Sequence, residues 1–134
     1  MNDSVIQKPW FRSLVSALAG FVAYGAWAFY ANMEHGTHEG VKSALVQGGF
    51  SFTITLIINV LIEVLYKRFK DVSAGQWITA VIACITLYCA SYGVNYIAGT
   101  MNIIKTILPG AVMSTFYIVG YVKTVHHLAK NSAQ

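Results

Sequence analysis

An all-α, integral membrane four-helix bundle is the fold class this sequence predicts, and three observations predict it. Of 134 residues, 56% are apolar and only 10% charged, far from the composition of a soluble domain. Four apolar stretches, at residues 14–32, 44–66, 77–97 and 103–122, approach or reach the length needed to cross about 30 Å of hydrocarbon. The basic residues gather on one side of these stretches: Lys8 and Arg12 before the first, Lys67, Arg68 and Lys70 between the second and third, Lys123 and Lys130 after the fourth. By the positive-inside rule those segments and both termini face the cytoplasm, and the compact loops suit a bacterial inner membrane. The chain 1–134 is then one transmembrane domain, with no linker or low-complexity segment and no room for a soluble catalytic domain.

The first stretch is rich in small residues. Ser16, Gly20 and Tyr24 share one row at four-residue spacing, and Ala19, Ala23 and Trp27 another. Small residues let membrane helices approach closely, so this helix should be central to packing. Trp10 and Phe11 mark its inner end and Trp27, Phe29 and Tyr30 its outer end, as interfacial aromatic belts do. The polar lead before it includes Pro9, and no small-residue cleavage site follows, so the helix reads as retained. Ala31 to Gly40 reads as an outer loop carrying Glu34, His35, His38 and Glu39. Such residues bind zinc or sense pH elsewhere, but this spacing fits no metal motif, and a solvated loop with no metal or cofactor is expected.

The second stretch carries the best clue to function. Gln47, Ser51, Thr55, Asn59 and Glu63 follow one another at steps of four, sweeping an arc of about 160°. Lipid offers such groups no partner, so this ridge should face other helices or a wet cavity. The opposite arc, with Phe50, Ile54, Ile57, Leu61 and Leu65, is free to face lipid. Glu63 also stands one turn before Lys67, within reach of an i,i+4 ion pair.

The third stretch presents Thr79, Ala80, Ala83, Cys84, Thr86, Ala90 and Ser91 as a small-residue surface, with Tyr88, Tyr92, Tyr96 and Asn95 toward its outer end. Cys84 and Cys89 point about 140° apart on one helix and cannot join. In the fourth, Pro109 is comfortable only in a first turn, so the helix should begin near Leu108 or kink there. Thr106, Gly110 and Ser114 form a further close-packing row.

The two halves resemble each other. Ala23-Tyr24-Gly25 answers Ser91-Tyr92-Gly93, and Lys42-Ser43-Ala44-Leu45 answers Lys105-Thr106-Ile107-Leu108, with Ser51 opposite Ser114. Two hairpins related by a twofold along the membrane normal would follow. Pro109-Gly110 then falls opposite Val46-Gln47, just before Gly48-Gly49, and interruptions at matching places point to a transporter's site. Lys42 and Lys105 stand beside these helix starts, where a partial positive charge already favours an anion. Size, span count and the paired hairpins resemble the GtrA-like family, small four-span proteins associated with moving lipid-linked sugars. Asn59 followed by Lys67, Arg68 and Phe69 is similar to that family's ending of helix two. No matching signature follows the fourth stretch, and membership is not assigned.

Function is therefore expected to be translocation of an anionic or lipid-linked solute, by a homo-oligomer or as a subunit of a membrane complex. Gln47, Ser51, Thr55, Asn59 and Glu63 would line the route, and Lys42 and Lys105 would receive the anion. Membrane lipids are the expected partners; nucleic acid is not, because the excess charge of +4 flanks membrane spans. A non-transporting assembly subunit is the alternative, its polar ridge serving as helix-to-helix glue. No nucleophile and base at a recognisable spacing supports an enzyme.

Overall fold

The computed structural model describes residues 9–132. The polar lead with Lys8 lies outside the described residues, as do the side chains of Pro9, Arg12 and Ser13. Four helices follow one another: α1 (Pro9–Asn32), α2 (Thr37–Phe69), α3 (Gly75–Ile97) and α4 (Ile103–Ser132), with a short 3₁₀ turn, Met33–His35, after α1. All four are long and apolar enough to cross a membrane. The turns within the α1–α2 and α3–α4 hairpins share one end of the bundle, here the hairpin end; the α2–α3 turn marks the other, the terminal end. α2 packs against all three other helices, and α4 against α1 and α3 as well.

α2 is longer than the apolar pattern foretells. Its 33 residues span about 50 Å, beginning at Thr37 and not at Ala44. The expected loop from Ala31 to Gly40 is therefore helical on both sides of Gly36, whose φ of 108° closes the turn. Glu39 sits in the first turn of α2, where the positive end of the helix dipole favours a carboxylate.

Two kinds of packing hold the bundle. Toward the terminal end, Ile58, Ile62, Ala80, Ala83, Leu87, Ile118 and Val122 from α2, α3 and α4 form an apolar core. α1 joins instead through small residues, burying Ala17, Ala28 and Ala31. At Gly48 the backbones come so close that a Cβ would lie 3.0 Å from the Phe21 carbonyl oxygen. The small residues of the first stretch thus do bring two helices together. Because α2 is flanked on several sides, its expected lipid-facing arc is divided. Ile57 is half exposed, whereas Ile54 and Leu61 pack against the core.

Of the two expectations for Pro109, a helix start near Leu108 is not met: α4 is already helical before it. It begins at Ile103, with Pro109 inside it. A proline has no N–H, so the carbonyl four residues earlier, that of Lys105, loses its helical partner. The indole Nε1 of Trp27 donates to that carbonyl at 2.8 Å. The aromatic residue expected only to anchor α1 in an interface therefore repairs the break in α4.

That repair makes Trp27 and Pro109 energetically coupled. Trp27→Phe should cost about 1–2 kcal/mol by orphaning the carbonyl, and the cost should shrink in a Pro109→Ala background, where the alanine N–H takes over. Thermal unfolding of the four chains of this double-mutant cycle in detergent checks it; equal costs in both backgrounds would refute the repair.

Candidate functional site

The ridge of α2 divides into three zones along the bundle. At the hairpin end, Gln47 is buried at 4% exposure and its Oε1 accepts a hydrogen bond from Asn95 Nδ2 at 2.8 Å. In the middle, Ser51 is equally buried, and the Thr55 hydroxyl turns back to the Ser51 carbonyl at 2.7 Å. Toward the terminal end, Asn59 Oδ1 accepts from Tyr117 at 2.7 Å and Glu63 Oε1 from Tyr121 at 2.9 Å. Glu63 thus takes a tyrosine on α4 as its partner and not the neighbouring Lys67. Tyr66 and His126 Nδ1, 2.8 Å apart, continue this seam between α2 and α4.

The middle zone floors a cleft. A space of about 420 Å³ is lined by Ser16, Ala19 and Ala23 of α1, by Ser51, Thr55 and Ile58 of α2, by Leu87 of α3 and by residues of α4 that include Met113, Ser114 and Tyr117. α1 and α4 meet near the hairpin end through Trp27; farther down, the exposed faces of Ser16, Ala19 and Ala23 stand opposite Met113 and Tyr117. A second, narrower space of about 60 Å³ continues it toward the hairpin end, sharing Tyr24, Ser51, Ile54, Leu87 and Ser114 and adding Gln47, Tyr88, Ser91, Gly110 and Ala111 among others. No charged side chain among the described residues lines either space.

Two asparagines that the pattern analysis did not single out as site residues close the hairpin end. Asn32 and Asn95 are both fully buried. Asn32 Nδ2 donates to the Ala28 carbonyl and to Thr106 Oγ1, at 2.9 and 2.8 Å, while its Oδ1 accepts from the Asn102 backbone N–H at 3.0 Å. Asn95 Nδ2 donates to the Ser91 carbonyl at 2.9 Å as well as to Gln47, and its Oδ1 accepts from Thr100 at 3.0 Å. Each asparagine thus bonds its own helix one turn back and then reaches the other hairpin.

A signal for them lay in the sequence. The step of 63 residues from Lys42 to Lys105 (105 − 42 = 63), extended backward, sets Asn32-x-x-x-Gly36-Thr37 against Asn95-x-x-x-Gly99-Thr100. Gly36 and Gly99 are the two glycines with positive φ among the described residues, at 108° and 68°. Gly99 is left-handed because its N–H returns to Tyr96 O and that of Thr100 to Asn95 O, the double bond that ends a helix in a Schellman turn. The correspondence is incomplete at Ser43, whose match Thr106 serves Asn32. Asn95 reaches Gln47, one turn farther on, and leaves the buried Ser43 hydroxyl without a partner.

The two lysines lie at the hairpin end, each beside a carboxylate. Lys42 Nζ is 2.6 Å from Glu39 Oε2 and 3.4 Å from the Gly99 carbonyl in the other hairpin's turn. Lys105 Nζ lies 3.9 Å from Glu34 and over the Tyr30 ring. The hydrogen bond from Lys42 holds the Glu39 carboxyl below its ordinary range, opposed by desolvation and helped by His38. Because that carboxyl is lowered in the folded state, its contribution to stability is present above the ordinary carboxylate range and fades on acidification. Glu34 and His35 both meet the Asn102 side chain, at 2.7 and 3.1 Å, whereas His38 pairs with Glu39. No three His, Cys, Asp or Glu side chains among the described residues stand close enough to hold one metal ion.

Removing a buried amide costs more than its bonds contribute, because the abandoned partners stay buried. Asn95→Leu, which strands Gln47 and Thr100, and Asn32→Leu, which strands the Asn102 backbone N–H, should each lower stability by about 1–3 kcal/mol. Asn59→Leu, whose Tyr117 partner is exposed, should cost less than about 1 kcal/mol. Unfolding midpoints in one detergent rank the three; an Asn59 effect as large as the others would contradict this zoning.

Comparison with known proteins finds no counterpart: no family model matches the chain, and no curated protein or solved structure is similar to it.

Proposed function

We propose that this protein is an integral membrane translocator, or a translocator's subunit, for an amphipathic, lipid-linked solute. The observation that carries the reading is the cleft between α1 and α4, about 420 Å³, floored by the hydroxyls of the α2 ridge. Its volume lies in the range of small-molecule sites, roughly 300–1,000 Å³. Its polar floor would be costly against lipid and suits a route for a polar group through an apolar phase. The exposed faces of Ser16, Ala19 and Ala23 would admit such a molecule sideways from the bilayer.

Lys67, Arg68, Lys70, Lys123 and Lys130 argue for a cytoplasmic terminal end, in the inner membrane if the protein is bacterial. The recurrence at 63 residues supports two hairpins related as repeats, with the cleft near their shared axis, as in transporters built from duplicated halves. Four helices enclose little volume, so the working unit is a homo-oligomer or a larger membrane complex. Lys42 and Lys105 have their charges matched by Glu39 and Glu34. The reading therefore rests on the lipid-linked character of the solute and less on an anionic one.

A second reading, a non-transporting assembly subunit, is favoured by the same exposed row on α1. Ser16, Ala19 and Ala23 would equally seat a partner's helix.

The two separate in reconstituted liposomes. Ala23→Phe fills the cleft from an exposed position and should leave the protein as abundant as the unaltered chain. With a fluorescent polyprenyl-linked sugar as probe, the translocator exchanges it between leaflets and Ala23→Phe stops the exchange. No exchange by the unaltered chain, with Ala23→Phe losing a co-purifying membrane partner, would overturn the translocator in favour of the subunit.

A further inference from the structure

The narrower, hairpin-end part of the cleft is lined by polar side chains of largely buried residues whose free donors open on the space. Gln47 is oriented by the clasp: the Ser91 carbonyl can only accept, which fixes Asn95 Nδ2 on the side that also faces Gln47, so Gln47 must answer with Oε1. The Gln47 Nε2 group, with two N–H donors, is thereby turned away from Asn95, and it approaches Gly110 at the cavity wall. Ser51 and Ser91 line the same space, at 4% and 8% exposure, and their hydroxyls bond no described residue. All three residues are more than nine-tenths buried, and what exposure they keep is toward this space. Unlike the sealed hydroxyls of Ser43 and Thr79, these three groups open on one shared space.

We infer that Gln47, Ser51 and Ser91 form the binding site for the uncharged, acceptor-bearing head of an amphiphile, such as a glycerol or sugar hydroxyl or an ester carbonyl, whose apolar chain lies in the wider cleft. This rests on the amphiphile reading above and names the headgroup. Charge decides the class. No ionic side chain lines the space, so an ionised head would be desolvated without a counter-charge, at a cost of several kcal/mol. A hydrocarbon would fill the volume and leave the Gln47 amide unpaired. A neutral acceptor does neither. The chain's position follows from the lining, since Ala19, Ala23, Ile58 and Ile118 line the wider space and not the narrower one that Gln47 lines.

The test uses the full chain in lipid nanodiscs with a photoreactive diazirine monoacylglycerol as probe. Unlabelled monoacylglycerol, the fatty acid anion, the primary amine and the alkane of equal chain length compete for it. Crosslinks should map to cleft residues, and the neutral glyceride should compete at least about tenfold better than the other three, the equivalent of one hydrogen bond. Ser51→Ala with Ser91→Ala removes hydroxyls that serve no internal bond, so thermal stability should hold or rise while glyceride affinity falls about tenfold. Gln47→Met should lose affinity likewise; should it fail to fold, the serine pair still decides. Cleft crosslinks competed equally by all four molecules would overturn the headgroup assignment and leave the amphiphile reading standing. Crosslinks scattered outside the cleft would overturn both.

Discussion

A side-chain amide buried among four apolar helices must find its partners within the protein, and that requirement shapes the hairpin end. Asn32 and Asn95 have no exposure at all, yet between them they tie the ends of α1 and α3 to the α3–α4 turn, to the start of α4 and to Gln47 inside α2. The gain from each bond is modest, about 1 kcal/mol or less in membrane proteins. What makes the arrangement strict is the larger cost of leaving a partner stranded. The apolar core sits mainly toward the other end, so the bundle is joined by polar bonds where the hairpins turn and by packing where α2, α3 and α4 run together.

The same accounting separates the bonded parts of the ridge from its open middle. At its ends the ridge is tied to Asn95, Tyr117 and Tyr121. Between them stand Ser51 and the cleft, where α1 leans on α2 through small residues and leaves a space toward α4. A helix that packs through glycine and alanine carries little side-chain volume, so what brings α1 close to α2 also leaves room beside it. Close packing on one flank and a cavity on the other have one cause.

The four helices were legible because length and apolarity are summed over many residues. Their limits were not, since Thr37 to Ser43 carries enough polar residues to look like a loop and is held helical by packing and by Glu39 at the helix start. At Pro109 proline's cost is local and readable, but its remedy, Trp27, lies 78 residues in sequence from the Lys105 carbonyl it serves. The ridge was visible from its four-residue step, yet the step does not say which member meets a partner and which a cavity. Asn59 and Asn95 look alike in sequence. One bonds an exposed tyrosine and the other is sealed in, a difference fixed by the geometry of helices far apart in the chain. The asparagine recurrence was within reach, because Asn32 and Asn95 stand ten residues before Lys42 and Lys105 at the same offset.

The reciprocal clasp also sets an order on biosynthesis. Asn32 emerges from the ribosome 74 residues before its acceptor Thr106, and Gln47 emerges 48 residues before Asn95. At about 5–20 residues per second the first wait lasts some 4–15 s. Through that interval the leading hairpin exists without the partners that the trailing one brings to Asn32 and Gln47. It must borrow other partners until the trailing hairpin arrives, so the first half of this chain is a client before it is a structure.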